Sequence, residues 1–172
     1  DSPVSPYAAS KRACELFCHT WHSLYGTHVC ALRLFTVYGP RQRPEMAFHR
    51  FATLMARGEP IPMFGDGSSS RAYTYVADVV ASMLAALGQV AGWSVINVGG
   101  AHEVALREVI ELLGAALGIQ PAIDMQPSVP GDVRRTCADL TVARARLGVT
   151  PSTDLTTGLA LFSEWFWQFG VR

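Results

Sequence analysis

Apolar positions along this chain fall into blocks with different periods. The first block runs from Pro6 to Tyr25, led in by Ser5-Pro6 and closed by Gly26. A Ser N-cap, a Pro at the first helical position and a closing Gly predict a helix over 6–25. Val29 to Phe35 is a β-rich apolar run that predicts a buried strand, broken by Tyr38-Gly39-Pro40. Residues 46–57 predict a second helix, with Met46, Phe51, Leu54 and Met55 toward a core, ending at Gly58. A turn-rich stretch follows, Gly65-Asp66-Gly67-Ser68-Ser69-Ser70. Val79, Val80, Met83, Leu84 and Leu87 then recur at helical spacing up to Gly88, and Ser94 to Val98 predicts a short strand closed by Gly99-Gly100. Leu106, Val109, Ile110, Leu113 and Leu117 fit an amphipathic helix, although Ala105 is a poor N-cap for it. Residues 139–147 predict a short helix before Gly148, and Leu155, Leu159, Phe162 and Phe166 line one face of a last helix.

Helices alternating with a few strands indicate an α/β class. The strands are too few for a complete doubly wound sheet. The pattern reads as the later part of such a fold with a small domain appended.

Composition narrows the function classes. The 172 residues suffice for a domain with a real core, and 49% hydrophobic against 16% charged residues reads as globular. Fourteen basic residues balance fourteen acidic ones, which argues against a bulk electrostatic partner such as DNA or an anionic membrane. No apolar run approaches a membrane span, and no signal peptide is read. Cys14, Cys18, Cys30 and Cys137 show no C-x-x-C spacing, which suits a reducing cytosol. Cys14, Cys18 and His22 share a helix face near His19, but the spacing fits an ordinary helix face better than a zinc site.

The candidate chemistry begins at Tyr7-Ala8-Ala9-Ser10-Lys11. Four residues apart on a helix, Tyr7 and Lys11 share one face. A phenol near a helix N-terminus and beside an ammonium has its phenolate favoured by the dipole and by the charge. Such a tyrosine can serve as a base near neutral pH, although an unperturbed phenol titrates near roughly 10. Alone, the Tyr-x-x-x-Lys spacing is a weak pattern that occurs by chance.

Its followers make it specific. Leu32-Arg33-Leu34-Phe35-Thr36-Val37-Tyr38-Gly39-Pro40-Arg41 comes one helix later. Gly65-Asp66-Gly67 precedes Arg71-Ala72-Tyr73-Thr74-Tyr75-Val76-Ala77-Asp78, and Asn97-Val98-Gly99-Gly100 and Pro130-Gly131-Asp132-Val133-Arg134 complete the order. Taken together these motifs resemble the extended short-chain dehydrogenase/reductases, the nucleotide-sugar epimerases and dehydratases in particular. The resemblance covers residues 3 to about 167. It is closest to the UDP-glucuronate 4-epimerase branch, through Phe35 to Pro40 and Arg43-Pro44-Glu45-Met46-Ala47. The fold it implies is the C-terminal part of a Rossmann-like doubly wound parallel sheet plus a small α/β substrate-binding domain. Residues 1–37 and 72–100 would belong to the NAD-binding part, and 38–71 and 101–172 to the UDP-sugar part.

The resemblance also implies roles. Tyr7 would be the base at the sugar 4-OH, on the way to a 4-keto intermediate. Lys11 would hold the nicotinamide ribose of NAD and assist Tyr7, so both residues would also bind cofactor. Thr36 and Arg43 would contact the sugar carboxylate, Arg71 and Arg134 the diphosphate, and Asp132 the uridine ribose. Arg suits such bidentate oxyanion recognition. A cytoplasmic homodimer through the helix of residues 6–25 is implied as well. Arg41, Gln42, Glu45, His102 and Glu103 read as loop residues, and nothing decides whether Gln126 and Arg135 lie near a nucleotide. Another UDP- or dTDP-sugar epimerase, decarboxylase or dehydratase, or a non-catalytic UDP-sugar-binding or dimerisation module, are the rival readings.

One departure from the family stands out. No G-x-x-G-x-x-G or G-x-G-x-x-G occurs. The chain is therefore expected to be the C-terminal half of an epimerase, one that by itself binds NAD poorly and does not turn over.

Overall fold

Ser5 opens the first helix as its position predicts. In the computed structural model, which describes residues 2–100, 102–128 and 134–171, its hydroxyl accepts a 3.1 Å hydrogen bond from the Ala8 N–H, with Pro6 in the first turn. That helix, α1 (Pro6–Tyr25), ends where Gly26 takes a left-handed φ of 68°. The chain continues through β1 (Val29–Leu34), β2 (Val37–Tyr38), α2 (Ala47–Ala56), β3 (Ile61–Phe64), β4 (Ser70–Ala72) and β5 (Thr74–Tyr75). Then come α3 (Val76–Gln89), β6 (Trp93–Val98), β7 (Glu103–Ala105), α4 (Leu106–Leu117), β8 (Ile123–Gln126), β9 (Arg135–Thr136), α5 (Thr141–Leu147) and α6 (Leu155–Trp165). A wider π-type turn, Phe166–Gly170, extends α6.

The class is α/β. β1 and β6 pair in parallel, Val29 opposite Trp93 through Leu34 opposite Val98. Cys30 and Leu32 of β1 pack with Ile96 of β6 against Ala86 of α3 and Ala143 and Leu147 of α5. The alternate residues turn the other way, toward α1, where Arg33 bonds Glu15 and Trp93 meets His19 edge-on at 5.3 Å. Helices thus flank both faces of a parallel pair, as in a doubly wound sheet. A larger core joins Tyr38, Phe48, Phe51, Met55, Ile61, Met63, Ile110, Leu113, Leu159, Phe162 and Phe166 under α2, α4 and α6.

Three expectations need correction. The pattern predicted two strands, whereas seven more, each of two to four residues, pair as β2 with β5, β3 with β8, and β7–β4–β9. Strands that short carry no readable alternation, and their partners are remote in sequence. Within α2 the deepest aromatic is Phe48, while Met46 and Leu54 are only half-buried. On α3, Val79 is buried, but Val80, Met83, Leu84 and Leu87 are exposed, Leu87 to 85%. Helical periodicity there marks a face, and none of the described residues covers it.

Candidate active site

α1 forms one wall of the candidate site. Tyr7 and Lys11 lie on one face of it, with the Lys11 Nζ 5.7 Å from the centroid of the Tyr7 ring. Both line a groove of about 610 Å³ between α1 and the end of β1, together with Cys14, Glu15, Arg33 and Leu34. Tyr7 is 71% exposed and so is open to a ligand.

The floor of this groove is tied by charge. Arg33 donates from Nε and Nη2 to the two oxygens of Glu15, each at 2.7 Å, and Arg12 adds a 2.9 Å bond. The Arg33 hydrogen bonds hold the Glu15 carboxyl down at about 2, against the opposing effect of its burial. The same pairing raises Arg33 above its ordinary value. Sequence reading did not single out this pair. An Arg and a Glu eighteen residues apart signal nothing until a helix and a strand pack.

Thr36 follows β1 at a tightly held junction. Its carbonyl accepts from the Thr74 N–H at 3.0 Å, while the Thr74 hydroxyl donates to the Phe35 carbonyl at 2.9 Å and accepts from the Gly100 N–H at 3.1 Å. Gly100 is needed there, since a Cβ would strike the Tyr73 carbonyl oxygen. Arg43 does not line the α1 groove. It lines a second cleft of about 660 Å³, beside Arg41, Gln42, Arg50, Arg57 and Trp165, and pairs with Glu45 at 3.3 Å.

Arg71 and Arg134 come together through strand pairing. β4 runs parallel to β9, with Arg71 opposite Thr136, and the Ser70 N–H donates to the Arg134 carbonyl at 2.9 Å. Alternation along β4 sets Arg71 on the face opposite to Ser70, and Arg134 immediately precedes β9. The Arg71 Nη1 also donates to the Ser70 carbonyl at 2.9 Å. Ser70, Glu103 and Arg135 occupy the other face, where Glu103 accepts from Arg135 at 2.6 Å and from Ser70 at 2.9 Å. Glu103, read from the sequence as a loop residue, is on β7, and the Arg135 bond holds its carboxyl at about 2. Asp132 lies outside the described residues. The His22 Nδ1 lies 2.6 Å from the Thr27 carbonyl oxygen, and among the described residues no cluster of three or more metal-ligating side chains occurs.

Residues 1–99 match the NAD dependent epimerase/dehydratase family. The chain belongs to that family. A UDP-glucuronate 4-epimerase of Thermodesulfobacterium geofontis is 36% identical to it over 166 residues, which are 96% of this chain and 51% of that protein. Among solved structures, a UDP-glucuronic acid 4-epimerase of Bacillus cereus, in complex with UDP-glucuronic acid and NAD, superposes with a TM-score of 0.89 at 36% identity. A UDP-glucose 4-epimerase of Thermotoga maritima with UDP-glucose gives 0.90 at 34% identity. Each superposition covers 97% of this chain, and 54% and 55% of the respective neighbours. The chain thus spans about half the length of the family members it matches. None of its helices, among the described residues, is long and apolar enough to cross a membrane.

Proposed function

We propose that the protein carrying this chain epimerises a UDP-sugar at C4, with NAD as cofactor and UDP-glucuronate as substrate. The observation that carries this reading is the Tyr7–Lys11 pair, an ammonium 5.7 Å from a phenol ring on the wall of an open groove. Tyr7 takes the proton of the 4-OH, with the Lys11 ammonium beside its ring. The two bonds from Arg33 to Glu15 keep α1 seated against β1, so the phenol is held still.

NAD, when bound, supplies a reversible hydride acceptor. Tyr7 and Lys11 fit its ribose end, because both are exposed in a groove at the C-terminal end of a parallel strand, where α/β sheets bind ligands. Thr36 and Arg43 recognise the sugar carboxylate, Thr36 from the strand end and Arg43 from the loop beyond it. Arg71 and Arg134 clamp the diphosphate, a role supported by the Ser70–Arg134 backbone bond that sets the two arginines on neighbouring stretches of chain. Asp132 holds the uridine ribose. In this reading the parts formed by 1–37 and 72–100 hold NAD, and those formed by 38–71 and 101–172 hold the UDP-sugar. Two copies pair through α1, which buries none of its own residues and exposes Phe17, Trp21 and Leu24.

In the complete polypeptide, Tyr7→Phe is expected to cut kcat by about a hundredfold to ten-thousandfold while leaving UDP-sugar affinity unchanged. Full activity in that variant overturns the role of Tyr7. Arg43→Ala is expected to raise KM for UDP-glucuronate far more than for UDP-glucose, and an equal effect on both overturns the choice of sugar.

A further inference from the structure

The cleft between α2 and the C-terminal turn shares Arg43 with the epimerase reading but carries further arginines that this reading does not use. Arg41, Arg43, Arg50 and Arg57 all line it, with Thr53, Trp165 and Phe169, and among the described residues no carboxylate does. Glu45 pairs with Arg43. Arg41, Arg50 and Arg57 have no carboxylate partner among the described residues. In a chain of zero formal net charge, that concentrates positive potential in one concavity.

The cleft is also built rather than loose. Gln42 donates to the Val37 carbonyl at 3.0 Å and accepts from the His49 N–H at 3.1 Å. The buried His49 ring lies 2.7 Å from the Gln42 carbonyl oxygen and 3.3 Å from that of Gly170, bridging the arginine loop to the aromatic wall. Arg41 is held at φ 66°, where no other non-glycine residue among those described is found. Held outliers of this kind collect at functional sites.

Arg50 and Arg57 are seven residues apart, hence about 10 Å along α2. Long side chains rooted at that spacing on one wall of the cleft can reach more than one phosphate. Trp165 and Phe169 offer flat apolar surface to a planar ring. We propose that this cleft is a second ligand site, distinct from the Tyr7 groove, for a nucleotide bearing two or more phosphates.

Isothermal titration of this chain with ADP and with inorganic pyrophosphate tests the proposal. One ADP per chain is expected, with pyrophosphate binding more weakly. Arg50→Gln with Arg57→Gln is expected to weaken ADP at least tenfold, at an unchanged Tm because both side chains are exposed. Arg71→Gln, which probes the epimerase reading, should leave ADP binding unaltered. Absence of saturable binding overturns the proposal, as does binding indifferent to Arg50 and Arg57 or binding lost in Arg71→Gln. Pyrophosphate binding as tightly as ADP overturns the nucleotide assignment.

Discussion

Arg33 on β1 grips both oxygens of Glu15 on α1, at 2.7 Å each, and so fastens the helix carrying Tyr7 and Lys11 to the strand that ends at the candidate site. The pair joins two elements that are otherwise lightly packed, since no residue of α1 is buried.

Acid should loosen this junction. The folded state holds the Glu15 carboxyl at about 2, below its ordinary value of 4.5. A depressed carboxyl contributes stability that is fully present above the ordinary value and lost as pH falls from about 4.5 toward 2. Arg33 is half exposed, so screening limits the contribution to about 1 kcal/mol. Glu15→Gln is expected to lower Tm at pH 7 but hardly at pH 2.5. Thermal melts across that range check this, and an equal loss at both pH values refutes the ion-pair account.

The start of α1 depends on one hydroxyl. Ser5→Ala removes the bond from the Ala8 N–H and is expected to cost about 1 kcal/mol. The loss should appear first as faster amide exchange at residues 8–10, the turn that presents Tyr7. Unchanged exchange there would mean that Pro6 alone sets the helix start.

Tyr38 and Gly158 make a testable pair. Among the described residues the buried Tyr38 hydroxyl has no hydrogen-bond partner, and a Cβ on residue 158 would collide with it. Burial also pushes the Tyr38 phenol above its ordinary value. Tyr38→Phe should therefore be neutral or stabilising. Gly158→Ala should destabilise by about 1–3 kcal/mol through overpacking, and the double variant should recover part of that loss. Denaturant titrations of the four proteins give the coupling directly.

Backbone strain at Arg41 predicts opposite effects on stability and binding. Arg41→Gly relieves the left-handed conformation and is expected to stabilise the chain by about 1 kcal/mol. The same change removes a guanidinium from the second cleft, so ADP should bind more weakly to the more stable variant. A loss of stability would show that the Arg41 side chain is held by packing instead.

Much of this molecule was legible in its sequence. Ser5-Pro6 and Gly26 bracket α1 within a residue, because capping is local chemistry. The spacing of Tyr7 and Lys11 forces them onto one face of any helix that contains both. The run from Val29 is a strand as its composition predicts, although none of its residues is fully buried. Leu159, Phe162 and Phe166 are buried as their period requires.

The tertiary structure decided what lies far apart in the chain. Pairing of β4 with β9 brings the backbone of Arg134 beside the strand that carries Arg71, although 63 residues separate them. Glu103 and Arg135, and Glu15 and Arg33, become partners only once strands and helices meet. Arg43 lines a different cleft from Tyr7, which no spacing rule announces. The division has one physical cause. Caps, turns and periodicity depend on neighbours within about one helical turn, and the sequence specifies those neighbours directly. Ion pairs across elements, short-strand registers and clefts depend on how faces pack, and packing is settled only when the whole chain closes around its core.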